Sequence, residues 1–220
     1  MKFIAKLTDA TKIEADMLVV FAGSEDARKV DGAEEFDGEQ GDILFLHSHG
    51  NIPAKRVAIV GLGKIPELTV ADLQIIGAKI GGKAKEVAAK VVAIALPKDL
   101  PSQAIVEGLL LGTYTFLKHK SEESRKKVKH IEEVNLLTRP PNLNAVVAGI
   151  ERGTVVAEAV MFARDLVNEP PSITTPTHLA DVAKKLVRGQ TSMSCEVFGP
   201  KEMKTLGMEA ILGIARGSDE

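Results

Sequence analysis

Residues 163–176, Ala-Arg-Asp-Leu-Val-Asn-Glu-Pro-Pro-Ser-Ile-Thr-Thr-Pro, form a junction between two parts of the chain. A helix that reaches Asn168 cannot continue through Pro170–Pro171, because proline lacks an amide hydrogen and disfavours helical backbone in the residue before it. Thr175–Pro176 then begins another helix, since a threonine hydroxyl caps a helix and proline fits its first position. About 45 residues follow, too few for a domain of ordinary size. We therefore expect the chain to stop soon after its second part begins.

The composition is that of an ordinary globular protein. Of 220 residues, 45% are hydrophobic and 26% are charged, and the formal net charge of −2 gives no general attraction to nucleic acid or anionic membrane. The longest apolar runs, such as Val91–Leu96, have the length of a strand and not of a bilayer span. Charges within Met1–Asp9 interrupt the apolar core that a signal peptide needs, and the single cysteine excludes an internal disulfide. These features favour a cytoplasmic protein.

Apolar runs of strand length alternate with helical periodicities along most of the chain. The predicted strands are 3–7, 16–22, 42–47, 55–60, 91–96, 131–137, 194–198 and 210–215. The predicted helices are 27–36, 69–87, 101–116, 144–167, 175–187 and 201–206. Several strands are apolar throughout, as strands covered on both faces are. The pattern predicts an α/β fold with helices on both faces of a sheet, in three layers.

Two histidines stand at strand spacing and are the first candidate for a metal site. His47 and His49 would point the same way, but Asp42 is the one weak candidate for a further ligand. A histidine pair without further ligands is poor evidence for a metal. We favour a polar strand end that runs into the turn at Gly50–Asn51.

Two glycine patterns also resemble functional motifs. Gly61–Lys64 lies between a strand and a helix, where phosphate loops occur, but one residue separates its glycines instead of four and Ile65–Pro66 follows the lysine. A tight structural turn explains it better. Gly149 and Gly153 lie four residues apart on the long helix, where we expect them to permit close helix packing.

The remaining candidates carry little chemistry. Cys195 has no histidine near it in sequence and is typical of a small core residue. A lysine-rich segment is interleaved with Glu122 and Glu123, which is typical of a solvated helix end and leaves a DNA-contacting patch as the alternative. Its lysines are Lys118, Lys120, Lys126, Lys127 and Lys129. Residue chemistry alone therefore assigns no catalytic, cofactor-binding or metal-binding residue.

The junction and its surroundings resemble the interdomain region of the leucyl aminopeptidase, or cytosol aminopeptidase, family. The segments that carry the resemblance are Gly153–Val160, Ala163–Pro171 and Thr175–Ala180. Further pieces follow the family's order at Val60–Lys64, Ala104–Phe116 and Leu206–Ser218. The resemblance implies a macro-domain-like N-terminal domain with a mixed sheet over residues 1–143, a linker helix over 144–168, and the truncated start of an α/β catalytic domain over 169–220.

The resemblance also implies a function for the parent protein. Members of this family are cytoplasmic hexamers that use two divalent metals, zinc or manganese, to remove N-terminal residues from peptides. Their metal and catalytic residues lie in segments resembling VGKG, TFDSGG and NTDAEGR, and none of these occurs in this sequence. We therefore expect a non-catalytic portion of such an enzyme, inactive alone, that binds no metal and no membrane.

Two alternatives to this function stay open. The macro-domain relationship suggests a module that binds ADP-ribose or another nucleotide, and the lysine-rich segment suggests a DNA-binding regulator. The resemblance also implies that apolar residues after position 170, such as Leu179, Leu186 and Ile214, have their natural partners in an absent domain. We expect this segment to be mobile or to pack on another copy.

Overall fold

The computed structural model describes residues 1–22, 25, 28, 36–98 and 100–218. The chain forms two compact units, Met1–Phe162 and Ala163–Glu220. The predicted helix over 27–36 lies almost wholly outside the described residues.

A six-stranded sheet forms the centre of the first unit. Its strands are β1 (Lys2–Lys6), β2 (Met17–Phe21), β3 (Ile43–His47), β4 (Arg56–Val60), β5 (Val91–Ala95) and β6 (Glu133–Leu137). Their order is β1-β6-β5-β2-β4-β3, and all neighbours pair in parallel except β3 and β4, which are antiparallel. The predicted α/β class with a mixed sheet is confirmed.

Strand β2 shows why the apolar runs form the middle of the sheet. Met17 and Val19 belong to the core on one face, whereas Leu18 and Val20 belong to the core on the other. All four are fully buried. Since successive side chains of a strand point to opposite faces, a strand covered on both faces must be apolar at every position.

Helices cover the first face of the sheet. They are α1 (Val70–Glu86), α2 (Ser102–Thr113) and the beginning of α4 (Leu143–Asn168), while the short α3 (Glu122–Lys126) is exposed. Helix α1 begins with a capping box: Thr69 Oγ1 accepts from the Asp72 amide at 3.2 Å, and the Asp72 carboxylate accepts from the Thr69 amide at 2.9 Å.

The glycine pair of α4 lies directly against α2. A Cβ on Gly149 would lie 2.0 Å from Ser102 Oγ, and one on Gly153 would lie 2.8 Å from the Gln103 carbonyl oxygen. Real Cβ atoms do not approach so closely, so only glycine permits this separation of the helices. The prediction that the pair serves close helix packing is confirmed.

The second face of the sheet is covered differently within the described residues. A 3₁₀ turn at Ala10–Lys12 and the loop residues Ala15, Ile52 and Ala54 pack on it, together with Phe36. These small apolar groups complete the second core around Leu18, Val20 and Ile59, among others.

The second unit contains short helices, and two predicted strands in it are wrong. Its helices are α5 (Pro176–Val187), α6 (Pro200–Thr205) and α7 (Glu209–Ala215), besides the end of α4. Residues 194–198 form no regular element, and the predicted strand 210–215 is α7. No strand forms within 163–218. An extended segment there would have no neighbouring strand to accept and donate its backbone hydrogen bonds, whereas a helix makes these bonds within itself.

Apolar side chains of this unit are widely exposed. Leu186 is 55% exposed and Ile214 is 87% exposed. That their partners lie in another part of the enzyme stays a prediction. In the described part of the chain, no helix combines the length and apolarity required to traverse a bilayer.

Candidate functional site

A crevice of about 510 Å³ opens at the carboxyl ends of β2, β5 and β6. Because these strands are parallel, the segments that leave them meet at one edge of the sheet. Glu25 lies four residues beyond β2, residues 95–98 end and follow β5, and residues 138–142 follow β6. The crevice thus combines three segments that are far apart in sequence.

The connections of the sheet explain why a crevice opens there. Ala22, directly after β2, and Phe36 pack on the second face, whereas after β5 the chain enters α2 on the first face. Neighbouring parallel strands whose connections leave to opposite faces create a gap outside their carboxyl ends. Such gaps are the usual ligand sites of open α/β sheets.

The crevice combines apolar walls with charged groups. Arg139 Nη1 donates to Glu25 Oε2, and the Asn142 side-chain amide donates to the Lys98 carbonyl oxygen at 2.6 Å. Thr138 is buried, while the side chains of Arg139 and Glu25 are 57% and 66% exposed. The apolar walls come from Ala95, Leu96, Pro97, Pro140 and Pro141. Among the described lining residues, Arg139 and Lys98 are cations and Glu25 is a carboxylate, a balance that favours an anion.

A second cavity of about 510 Å³ lies at the opposite edge of the first unit. Its lining includes Lys85, whose ammonium donates to the Thr113 carbonyl oxygen at 3.2 Å and so caps the end of α2. Lys129, also in the lining, donates to the Glu86 carbonyl oxygen at 2.8 Å. Both cations serve helix ends.

Asp16 is a carboxylate whose pKa is strongly lowered. It accepts from the amides of Lys90 and Val91 at 2.9 and 3.0 Å and from the Lys55 ammonium at 2.6 Å. Partial burial opposes its ionisation, but the hydrogen bonds from Lys55, Val91 and Lys90 outweigh burial and lower the pKa from 3.8 to about 2. The residue links β2 to the start of β5, which is a structural role.

The histidine pair lies at the end of edge strand β3. This agrees with the prediction of a polar strand end that runs into a turn. The ring centroids of His47 and His49 are 6.1 Å apart, and His49 has a φ of +49° in the following turn. Among the described residues, no three side chains of His, Cys, Asp or Glu come together as metal ligands would.

The Gly61–Lys64 turn is structural, as predicted. The Gly61 amide donates to the Asp42 carbonyl oxygen at 2.9 Å, and a Cβ there would lie 1.9 Å from the Glu39 carbonyl oxygen. Gly63 has a φ of +62°, which favours glycine, and its amide donates to the Gly38 carbonyl oxygen at 3.0 Å. Backbone contacts therefore explain both glycines.

The lysine-rich segment is largely paired within the chain. Lys126 and Lys127 each lie 2.7 Å from a glutamate one turn earlier, Glu122 and Glu123 respectively. Such i,i+4 pairs are typical of a solvated helix, which is the interpretation favoured from sequence. Cys195 is half-buried in an irregular segment.

The crevice was not predicted from the sequence. Residues 139–142 and Lys98 lie between the predicted strands and helices and match no known motif. A usable signal was present: prolines and polar residues follow two consecutive buried parallel strands, and the carboxyl ends of such strands share an edge.

Comparison with known proteins identifies relatives along most of the chain. Residues 27–123 match the Cytosol aminopeptidase family, N-terminal domain, and residues 161–220 match the catalytic domain of the same family. A probable cytosol aminopeptidase of Alkaliphilus metalliredigens (strain QYMF) is 34% identical over 196 residues, 86% of this chain and 39% of the relative. One of Solibacter usitatus (strain Ellin6076) is 34% identical over 221 residues, 95% of this chain and 44% of the relative.

Solved structures show the same fold. A tomato leucine aminopeptidase mutant matches with a TM-score of 0.76 at 23% identity, covering 98% of this chain and 48% of that one. The bottromycin maturation enzyme BotP matches with a TM-score of 0.69 at 24% identity, covering 94% and 44%. The chain spans about two-fifths of the length of the curated relatives it matches. It belongs to the cytosol (leucyl) aminopeptidase family and contains segments that match both the N-terminal and the catalytic domain of that family.

Proposed function

We propose that these 220 residues are the N-terminal, non-catalytic portion of a metal-dependent aminopeptidase that removes N-terminal residues from peptides. The observation that carries the proposal is the order of the two family matches, 27–123 followed by 161–220. The family's metal segments, quoted above, are absent from the sequence. Within this proposal, residues 1–143 form the N-terminal domain, 144–168 the linker helix, and 169–220 the start of the catalytic domain.

The chemistry of such an enzyme would depend on residues other than these. Two-metal hydrolysis requires several carboxylates around the metals, and the described residues bring together no three metal-ligating side chains. The donor set therefore does not fit a zinc or manganese pair, and we assign no catalytic step to this chain. One structural relative is a Mn complex of BotP, which supports a divalent metal for the whole enzyme.

The portion described contributes a rigid domain to the whole enzyme. Its sheet is buried on both faces and its helical layer is held by close packing at Gly149 and Gly153. We propose that this domain supports assembly into a cytoplasmic homo-oligomer, a hexamer, and positions the catalytic domain.

A chimera tests the proposed function. The part of the Alkaliphilus metalliredigens relative that lies beyond its match to this chain is joined after Glu220. We expect hydrolysis of leucine p-nitroanilide that depends on added manganese or zinc and is abolished by chelation. A folded chimera without turnover, beside an active full-length relative, would contradict the proposal.

A further inference from the structure

We propose that the crevice at the carboxyl ends of β2, β5 and β6 binds a small carboxylate with an apolar body, held by Arg139. This site belongs to the first unit.

The position and size of the crevice support a ligand site. It lies where Ala22, after β2, packs on the second face and α2, after β5, covers the first face, and its volume of about 510 Å³ is that of a small-molecule pocket. The gap beyond the carboxyl ends of β1 and β6 is a useful contrast. The segments that leave these two strands also go to opposite faces of the sheet, but the volume of this gap is only about 20 Å³. That gap has room for about one water molecule.

The charged groups of the crevice define the chemistry of the ligand. Arg139 already binds a carboxylate, that of Glu25, so its guanidinium is oriented for this group. Both side chains are more than half exposed at the rim, where an incoming carboxylate can take the place of Glu25. Lys98 adds a second positive charge to the lining. Glu25 therefore acts as an internal competitor for the site.

The walls of the crevice favour an apolar carboxylate over a nucleotide. Leu96 and three prolines supply rigid apolar surface, and none of the described lining residues is aromatic. A nucleobase would find no ring to stack on, whereas a branched aliphatic chain can lie along the prolines.

Titration of the 220-residue chain with 4-methylpentanoate tests the site, with 4-methylpentanamide as the neutral probe of equal shape. We expect saturable binding of the acid, with amide chemical shifts that change in residues 95–98 and 138–142. The amide should bind more weakly, by up to about fivefold, because an exposed charge pair contributes up to roughly that factor.

Two variants of opposite effect make the test specific. Arg139→Gln should weaken binding of the acid by up to about fivefold, whereas Glu25→Gln should tighten it, because the competing carboxylate is gone. Lys126→Gln, which removes an exposed cation paired with Glu122, is the control and should leave binding unchanged. If Arg139→Gln does not fold, Arg139→Lys tests the same contact, since lysine keeps the charge but loses the planar fork.

The proposal is overturned if neither probe binds at tens of millimolar, or if acid and amide bind equally. It is also overturned if the two crevice variants leave the affinity for the acid unaltered. Because the readout is binding to the first unit, either result is independent of whether the chimera hydrolyses peptides.

Discussion

The backbone of Gly108 in α2 touches the backbone of Gln74 in α1: a Cβ on Gly108 would lie 2.1 Å from the Gln74 carbonyl oxygen. Gly77 and Gly112 form similar contacts between the same two helices. The helical layer of the first unit therefore depends on small residues, which bring α1 and α2 within backbone contact.

Substitution of Gly108 tests this packing. We expect Gly108→Ala to lower the free energy of unfolding by about 1–3 kcal/mol, because the added methyl group must push the helices apart. Gly82→Ala is a matched control in α1, since a Cβ there meets nothing within 4 Å. The control should be neutral or stabilising by up to about 1 kcal/mol. Urea denaturation measures both, and equal effects would contradict the account.

The low pKa of Asp16 predicts how stability depends on pH. The folded pKa of about 2 lies below the ordinary aspartate value of 3.8, so the unfolded chain binds a proton first as the pH falls. The stabilisation is therefore complete above about pH 4 and is lost as the pH decreases through 2. Because solvent screens a partly exposed carboxylate, we expect it to amount to about 1 kcal/mol.

Asp16→Asn should remove this stabilisation at neutral pH and flatten the acid limb of the unfolding free energy. Glu67→Gln, which affects an exposed pair with Lys64 at 3.4 Å, is the control and should change little. Denaturation between pH 2 and 7 distinguishes them. An unchanged acid limb in Asp16→Asn would show that the carboxylate does not link β2 to β5 as described.

Alanine substitutions at two glycines should show that a steric clash at Gly61 costs more stability than backbone strain alone. Gly61→Ala places a methyl group 1.9 Å from the Glu39 carbonyl oxygen, whereas Gly50→Ala at a φ of +85° meets nothing within 4 Å. Gly50→Ala should cost about 1 kcal/mol of strain, and Gly61→Ala should cost more, about 2–3 kcal/mol. Thermal unfolding measures the order of the two, and the reverse order would contradict a packed turn.

The exposed apolar face of α5 predicts an effect that depends on the rest of the enzyme. Leu186 is 55% exposed in this chain, so Leu186→Ser should change its unfolding little. In the chimera we expect a loss of about 2 kcal/mol, because the catalytic remainder would bury this side chain. The shift in melting temperature of each protein measures the effect, and equal shifts would argue against burial in the complete domain.

The sequence predicted the first unit better than the second for a physical reason. Apolar runs such as 91–96 match a strand and little else, because the flanking Gly, Pro and polar residues limit their length. The run 210–215 fits a strand and a helix equally well, and the absence of a partner strand in 163–218 decides for the helix. Local pattern cannot show which partners a segment has.

The crevice could not be assembled from local patterns. More than 40 residues of sequence separate Glu25 from Lys98, and again Lys98 from Arg139. The three residues line one crevice because β5 lies between β2 and β6. That strand order is a property of the whole sheet. The junction at 163–176, by contrast, could be recognised from its own residues, and it led to the family.

Hydrolysis of leucine p-nitroanilide by the purified 220-residue chain, with manganese or zinc added and the chimera assayed in parallel, shows directly whether the chain is catalytic. We expect no turnover above buffer for the chain and metal-dependent turnover for the chimera. Turnover by the chain alone that survives repurification and is lost on chelation would contradict this expectation.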